Sequence, residues 1–197
     1  MCHATIETEF GRLTAGAESV AMSERNQTRP GHDARAEGMA CANALAMPDM
    51  VRACLQRGDV TGATLLLGQP WGITATVVHG DKRGRALGFA TANLVLSPDT
   101  PLAHGVYAVR ATVRGACHEG VACFGTRPQF DDGAPRLEVH LFDFDHDIYG
   151  ASMNVAFVAF QRPEMKFVSV DALKEQMATD CRMARELLRE GIEVAVC

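Results

Sequence analysis

From Trp71 onward the chain is a succession of short segments rich in β-branched and aromatic residues: ITATVV, HGVYAVRATVRG, HEGVACFG, RLEVHLFDF and MNVAFVAFQR. Clusters of Gly, Pro or Asp part them at short intervals, so the pattern predicts five or six antiparallel strands. Strands this closely spaced, with no long helix between them, point to a small barrel and away from a doubly wound nucleotide-binding sheet. Helices are predicted on both sides of this region. In PDMVRACLQRGDV, Met50, Val51, Cys54 and Leu55 fall on one stripe, with Pro48 in the first turn and Gly58 at the stop. Asp59 then caps a second short helix that ends near Leu67. After the strands, Ser169 caps a longer helix, where Leu173, Met177, Cys181, Ala184 and Leu188 recur every three or four residues up to Gly191. Such a stripe is expected to pack across the barrel.

A chain of 197 residues suits one domain with an appendage. Residues 1–46 are polar, charged and turn-rich around SERNQTRPGHDARAEG and read as a disordered tail; 47–70 form a helical junction, and 71–191 form the barrel with its closing helix. A formal charge of -5 provides no basic field for phosphate backbones, so nucleic acid is not an expected partner. No run of about 18 apolar residues occurs, so no membrane-spanning helix is expected, and the opening MCHATIETEFGRLTAG lacks the basic and apolar regions of a secretory signal. Seven cysteines, an odd number without a CxxC pair, predict reduced thiols and a cytoplasmic protein, with no clustered zinc spacing. Oligomeric state is left open, with a monomer favoured.

The densest chemical signal is the run from Gly80 to Asn93, GDKRGRALGFATAN. Gly80, Gly84 and Gly88, interleaved with Lys82, Arg83 and Arg85, would let backbone N–H groups approach an anion while cations neutralise it. The run fits neither GxxxxGK[ST] nor GxGxxG, and a solvated Gly/Arg turn is the competing reading. Thr91 and Asn93 offer neutral oxygen donors of the kind Mg²⁺ accepts beside nucleotide phosphates, and alternation places both on one face of an extended segment. In RLEVHL, Leu137, Val139 and Leu141 point one way and Glu138 and His140 the other. A carboxylate there, close to a phosphate cradle, could accept a proton from an attacking hydroxyl; a solvated face is the alternative. The acidic run from Asp143 to Gly150 has Ile148 and Asn154 where a calcium loop needs Gly and Glu, and is read as a turn.

Taken in order, these segments resemble the riboflavin kinase family over about Trp71 to Leu188, in particular the C-terminal module of bacterial bifunctional riboflavin kinase/FMN adenylyltransferases. The family's glycine-rich loop running into GFPTAN resembles Gly84 to Asn93, its Gly-x-x-Pro-Thr turn resembles Gly125 to Gln129, and its LEvHllDF strand resembles Leu137 to Phe144. Its DlYG and RxExKF motifs resemble Asp147 to Gly150 and Arg162 to Phe167. The resemblance implies a mainly β fold, a six-stranded antiparallel Greek-key barrel with a C-terminal α-helix and short N-terminal helices. It also implies transfer of the ATP γ-phosphoryl group to the riboflavin 5′-hydroxyl, giving FMN and ADP. Thr91 and Asn93 would then hold Mg²⁺ and nucleotide phosphates, Glu138 would be the base, and Arg162, Glu164 and Phe167 would lie in the loop that closes on the flavin. The chain departs from the family at Ala90 and Gln129, where Pro and Thr are usual, and at Cys123, where Asn is usual. Pro48-Asp49-Met50 stands where the junction to an adenylyltransferase domain has Ser-Thr, and no HxGH motif occurs upstream, so FAD synthesis is not expected. The rival from another class is a flavin- or nucleotide-binding module without turnover; a third reading is an anion-binding barrel acting on another alcohol, against which Arg162 to Phe167 speak.

Overall fold

The computed structural model describes residues 47–80, 84, 87–126 and 135–190. Two short helices, α1 (Asp49–Gln56) and α2 (Val60–Leu67), lead into six strands: β1 (Gly72–Val78), β2 (Ala92–Val95), β3 (Gly105–Val113), β4 (Ala116–Thr126), β5 (Pro135–Leu141) and β6 (Ser152–Arg162). Helix α3 (Val170–Glu190) follows. The strands close into a barrel in the order β1-β2-β5-β4-β3-β6, each neighbouring pair antiparallel. The expected six-stranded Greek-key barrel is therefore the observed fold. The sixth strand is β2, only four residues long and outside the five β-rich segments of the sequence.

Alternation gives the barrel two differently used faces. Leu94, Tyr107, Val109, Phe124, Leu137, Val139, Met153, Val155 and Phe157 point inward and form the main apolar cluster. Val106, Ala108, Val121 and Cys123 point outward, yet α3 covers them with Ala184 and Leu188. Strands β3 and β4 meet in a two-residue turn, Arg114-Gly115, with φ of 51° and 79°. Positive φ at both positions gives the tight hairpin twist that suits the strands, and glycine carries the second at little cost.

The capping residues act as the sequence suggests. Asp59 Oδ1 accepts from the Gly62 N–H at 2.8 Å, and Ser169 Oγ accepts from the Ala172 N–H at 3.1 Å. Gly58 takes φ 83° after α1. Two details differ from expectation. Pro48 is the N-cap of α1, outside its first turn. Met50, assigned to the buried stripe, is 68% exposed, because α1 packs through Val51, Cys54 and Leu55 alone and the neighbouring position faces away from the barrel. The tail 1–46, Lys82, Arg83, Arg85, Pro128, Gln129 and Gly191 lie outside the described residues.

Candidate active site

Strand β2 pairs with β5 so that Asn93 lies opposite Glu138, and β5 pairs with β4 so that Glu138 lies opposite Cys123. One row across three strands therefore carries all three side chains on the outer face. The same register sets Ala92 against Val139, which brings Thr91 alongside His140. An outer face of a small barrel is ordinarily wet, but here Asn93 is 5% and Glu138 7% exposed. The solvated-face alternative for Glu138 is thus not what the fold presents.

The reason is the cover. Thr91, Cys123, Glu138 and His140 line a cavity of about 40 Å³ whose opposite wall comes from α3 and from residues 163–167 leading into it. Met165, Phe167, Leu173, Met177 and Cys181 give that wall an apolar, sulfur-rich surface, and Arg162 and Asp180 supply its charged end. Of the residues singled out in sequence, Thr91, Glu138, Arg162 and Phe167 meet in this one cavity. Asn93 adjoins it through Glu138.

The glycines of the 80–93 run have a physical reason to be there. A Cβ on Gly80 would fall within contact distance of the Asn93 amide, and a Cβ on Gly84 would fall against the Phe89 carbonyl and 3.5 Å from Thr91 Oγ1. The backbone thus runs directly over the two neutral oxygen donors, in a space that side chains would fill. Gly88 makes the return with φ 90°. A hydroxyl and an amide oxygen beside the Glu138 carboxylate are hard donors, and an approach kept open by glycine suits Mg²⁺ carried in on phosphate oxygens. The residues present fit that ion.

Arg162 is fixed in place. Its Nε and Nη2 donate to Asp180 Oδ1 and Oδ2 at 2.9 and 2.6 Å, its Nη1 donates to the Pro163 carbonyl at 2.9 Å, and Gln176 Nε2 donates to Asp180 Oδ1 at 2.9 Å. Asp180 is 4% exposed, so the fork ties the end of β6 to the middle of α3 in a nearly dry setting. Asp180 was missed in the sequence. Its signal was a carboxylate three residues after Met177 and four before Ala184, on the face that the helix buries.

Glu164 does not line the cavity. Its carboxylate sits against Gly125, where a Cβ would collide with it, and its Oε2 lies 3.7 Å from His104 Nδ1. Burial pushes its pKa above the usual carboxylate value, against the opposing pull of His104 and Arg162. A carboxyl that holds its proton longer in the folded state favours folding while protonated, and this contribution is lost as pH rises through the raised value. Glu164→Gln should therefore gain thermal stability relative to the parent as pH rises from about 4 to about 7. A melting-temperature difference that stays flat or shrinks over that range would refute the assignment.

The acidic run after β5 is a turn. Asp147 Oδ1 accepts from the Tyr149 N–H at 3.0 Å, and Asp143 pairs with Arg185 of α3 at 3.0 Å. Cys54 and Cys181 are free thiols, the latter pushed up to about 11 by burial and by the adjacent Asp180 charge. Cys117 and Cys123, too far apart along β4 to bond to one another, are each disulfide-bonded, which corrects the expectation of a fully reduced set. Parity and spacing of cysteines carry no information about which ones the fold brings near others.

The chain matches the family described as "Flavokinase: Riboflavin kinase" over residues 67–188. It is 44% identical over 138 residues to a "Bifunctional riboflavin kinase/FMN adenylyltransferase" of Bacillus subtilis, covering 66% of this chain and 42% of that protein. It is 42% identical over 137 residues to a protein of the same description from Escherichia coli K12, covering 69% and 44%. The chain thus spans less than half the length of these curated relatives. Among solved structures, a "Macrolide-efflux Protein from Streptococcus pneumoniae" superposes with a TM-score of 0.65 at 38% identity, over 71% of this chain and 46% of that one. Efflux belongs to the description of that protein; no helix among the residues described here is long and apolar enough to cross a membrane.

Proposed function

As the chain belongs to the riboflavin kinase family, we propose that it transfers the γ-phosphoryl group of ATP to the 5′-hydroxyl of riboflavin, and that the 197-residue chain makes no FAD. The observation that carries the first half is the cavity in which Thr91, Glu138, Arg162 and Phe167 meet between the barrel and α3. Thr91 and Asn93 would hold Mg²⁺, which would offset the negative charge of the phosphate oxygens. Glu138 accepts the hydroxyl proton as the hydroxyl oxygen bonds to phosphorus and the bond to the ADP oxygen breaks. Its burial keeps bulk water from competing for that role. Phe167, Met165, Leu173 and Met177 offer an apolar wall for a flat ring system, and Asp180 holds the Arg162 guanidinium still at its edge.

Phosphoryl transfer asks the protein mainly for position and charge stabilisation, so the donors should be separable from the ring wall. Thr91→Ala and Asn93→Ala are expected to raise the Mg²⁺ and ATP concentrations needed for half-maximal rate by about tenfold, as loss of roughly 1.4 kcal/mol of binding would, while riboflavin affinity stays within about twofold. A change confined to riboflavin would reverse the assignment. The second half of the proposal rests on the matched segment, 67–188, and on the lack of an HxGH motif in the sequence. Chromatography of a reaction with FMN and Mg-ATP should show no FAD, and its appearance would remove that half.

A further inference from the structure

We infer that His140 is a positioning residue for the phosphate-facing turn at Thr91; the inference rests on the kinase reading above and deepens it. His140 Nδ1 lies 2.8 Å from the Ala90 carbonyl oxygen, across 50 residues of sequence. A carbonyl oxygen can only accept, so the ring carries its proton on Nδ1 and donates it. The backbone ladder of β2 and β5 begins two residues after Ala90, at Ala92 opposite Val139. The histidine side chain therefore extends the tether between the two strands past the last backbone pair, to the residue immediately before Thr91.

Among the described residues, the segment it holds has few other restraints. Residues 89–91 lie outside regular structure and follow Gly88 at φ 90°. Their ties among the described residues are the Phe89 N–H donating to the Gly84 carbonyl at 2.8 Å and a long contact, 3.4 Å, from Asn93 Nδ2 to the Thr91 carbonyl. Ala90 leaves its own φ free, so the orientation of the Ala90-Thr91 peptide depends on what its carbonyl is bonded to. The ring is itself wedged, edge to face, against Phe89 at 5.6 Å and Phe142 at 5.9 Å. Two aromatic contacts and one hydrogen bond fix the imidazole, and the imidazole fixes the carbonyl. Strand β5 thus carries both the base, Glu138, and, two residues on and on the same face, the group that sets the turn holding the metal donors. Chemistry and positioning share one rigid element, so a shift of β5 would carry both together.

The test uses three variants of the full chain and two readouts: the dissociation constant of Mg-ADP by calorimetry, and the KM for ATP and kcat of FMN formation. Asn at 140 presents its amide N–H where Nδ1 was, Gln presents it one methylene further out, and Leu presents none. His140→Leu and His140→Gln should weaken Mg-ADP binding and raise KM for ATP by about three- to tenfold, the scale of one lost hydrogen bond. His140→Asn should lie within about twofold of the parent, and the KM for riboflavin should not move in any of them. Equal defects in Asn and Leu, no defect in Leu, or a loss in kcat alone would overturn the inference. So would a parent chain that does not bind Mg-ADP. If the parent binds Mg-ADP with this dependence on residue 140 but forms no FMN, the inference stands and the kinase reading falls. Melting temperatures of the two amide variants, expected to agree, ensure that the Asn and Gln comparison is one of geometry.

Discussion

Glu138→Gln is expected to lower FMN formation by about a hundredfold or more, because general-base contributions run about 10²–10⁴-fold. Gln keeps the size and shape of the side chain but cannot accept the hydroxyl proton. Glu138 is 7% exposed and sits in a fixed strand register between Asn93 and Cys123, so the amide occupies the same place. Nothing in the exchange introduces a buried charge, and the melting temperature should hold. The KM for ATP should also hold within a few-fold, since in the proposed site it is Thr91 and Asn93 that would face the phosphates. A variant that turns over within about tenfold of the parent would remove Glu138 from proton transfer and reduce it to a neighbour of the metal donors.

The second large effect is on stability. Asp180→Ala should cost about 3–5 kcal/mol, the usual penalty for leaving one partner of a buried ion pair without the other. Among the described residues Arg162 would keep only the Pro163 carbonyl as an acceptor, in a setting where its side chain is 16% exposed. For a chain of this size that corresponds to a drop in melting temperature of about 6–20 °C. The companion experiment is the double variant Arg162→Met, Asp180→Leu. Replacing both charges by apolar groups of similar volume is often neutral or stabilising, so most of the melting temperature should return. Activity should not return, since Arg162 is part of the cavity wall. A single variant that loses less than about 1 kcal/mol, or a double variant that recovers turnover, would show that the pair neither fastens α3 nor serves the site.

These two residues differ in how far the sequence betrays them. Glu138 is visible because strand alternation sorts Leu137, Val139 and Leu141 from it, and the barrel then decides that the sorted-out face is buried under α3 instead of wet. Asp180 is hidden because the long helix reads as an amphipathic stripe, and only the position of Arg162 on β6 explains a carboxylate within that stripe. The strands from β3 to β6 declare themselves by composition, whereas β2 is too short to do so and is held by its pairing with β5. Met50 fails for the same reason in reverse, since periodicity gives a face and tertiary packing chooses its width. His140 stands out as a residue on the right face, but its bond to Ala90 exists only through the register of two strands. Local rules reach the elements and the caps; the cavity is a product of closure.

The most direct measurement is the quantity of FMN and ADP formed from riboflavin and Mg-ATP by the full chain, with and without a metal chelator. The predicted result is FMN and ADP in equal amounts, abolished by the chelator and restored by added Mg²⁺. Riboflavin that binds but is recovered unchanged, while ATP remains intact, would contradict it and leave a flavin-binding barrel without turnover.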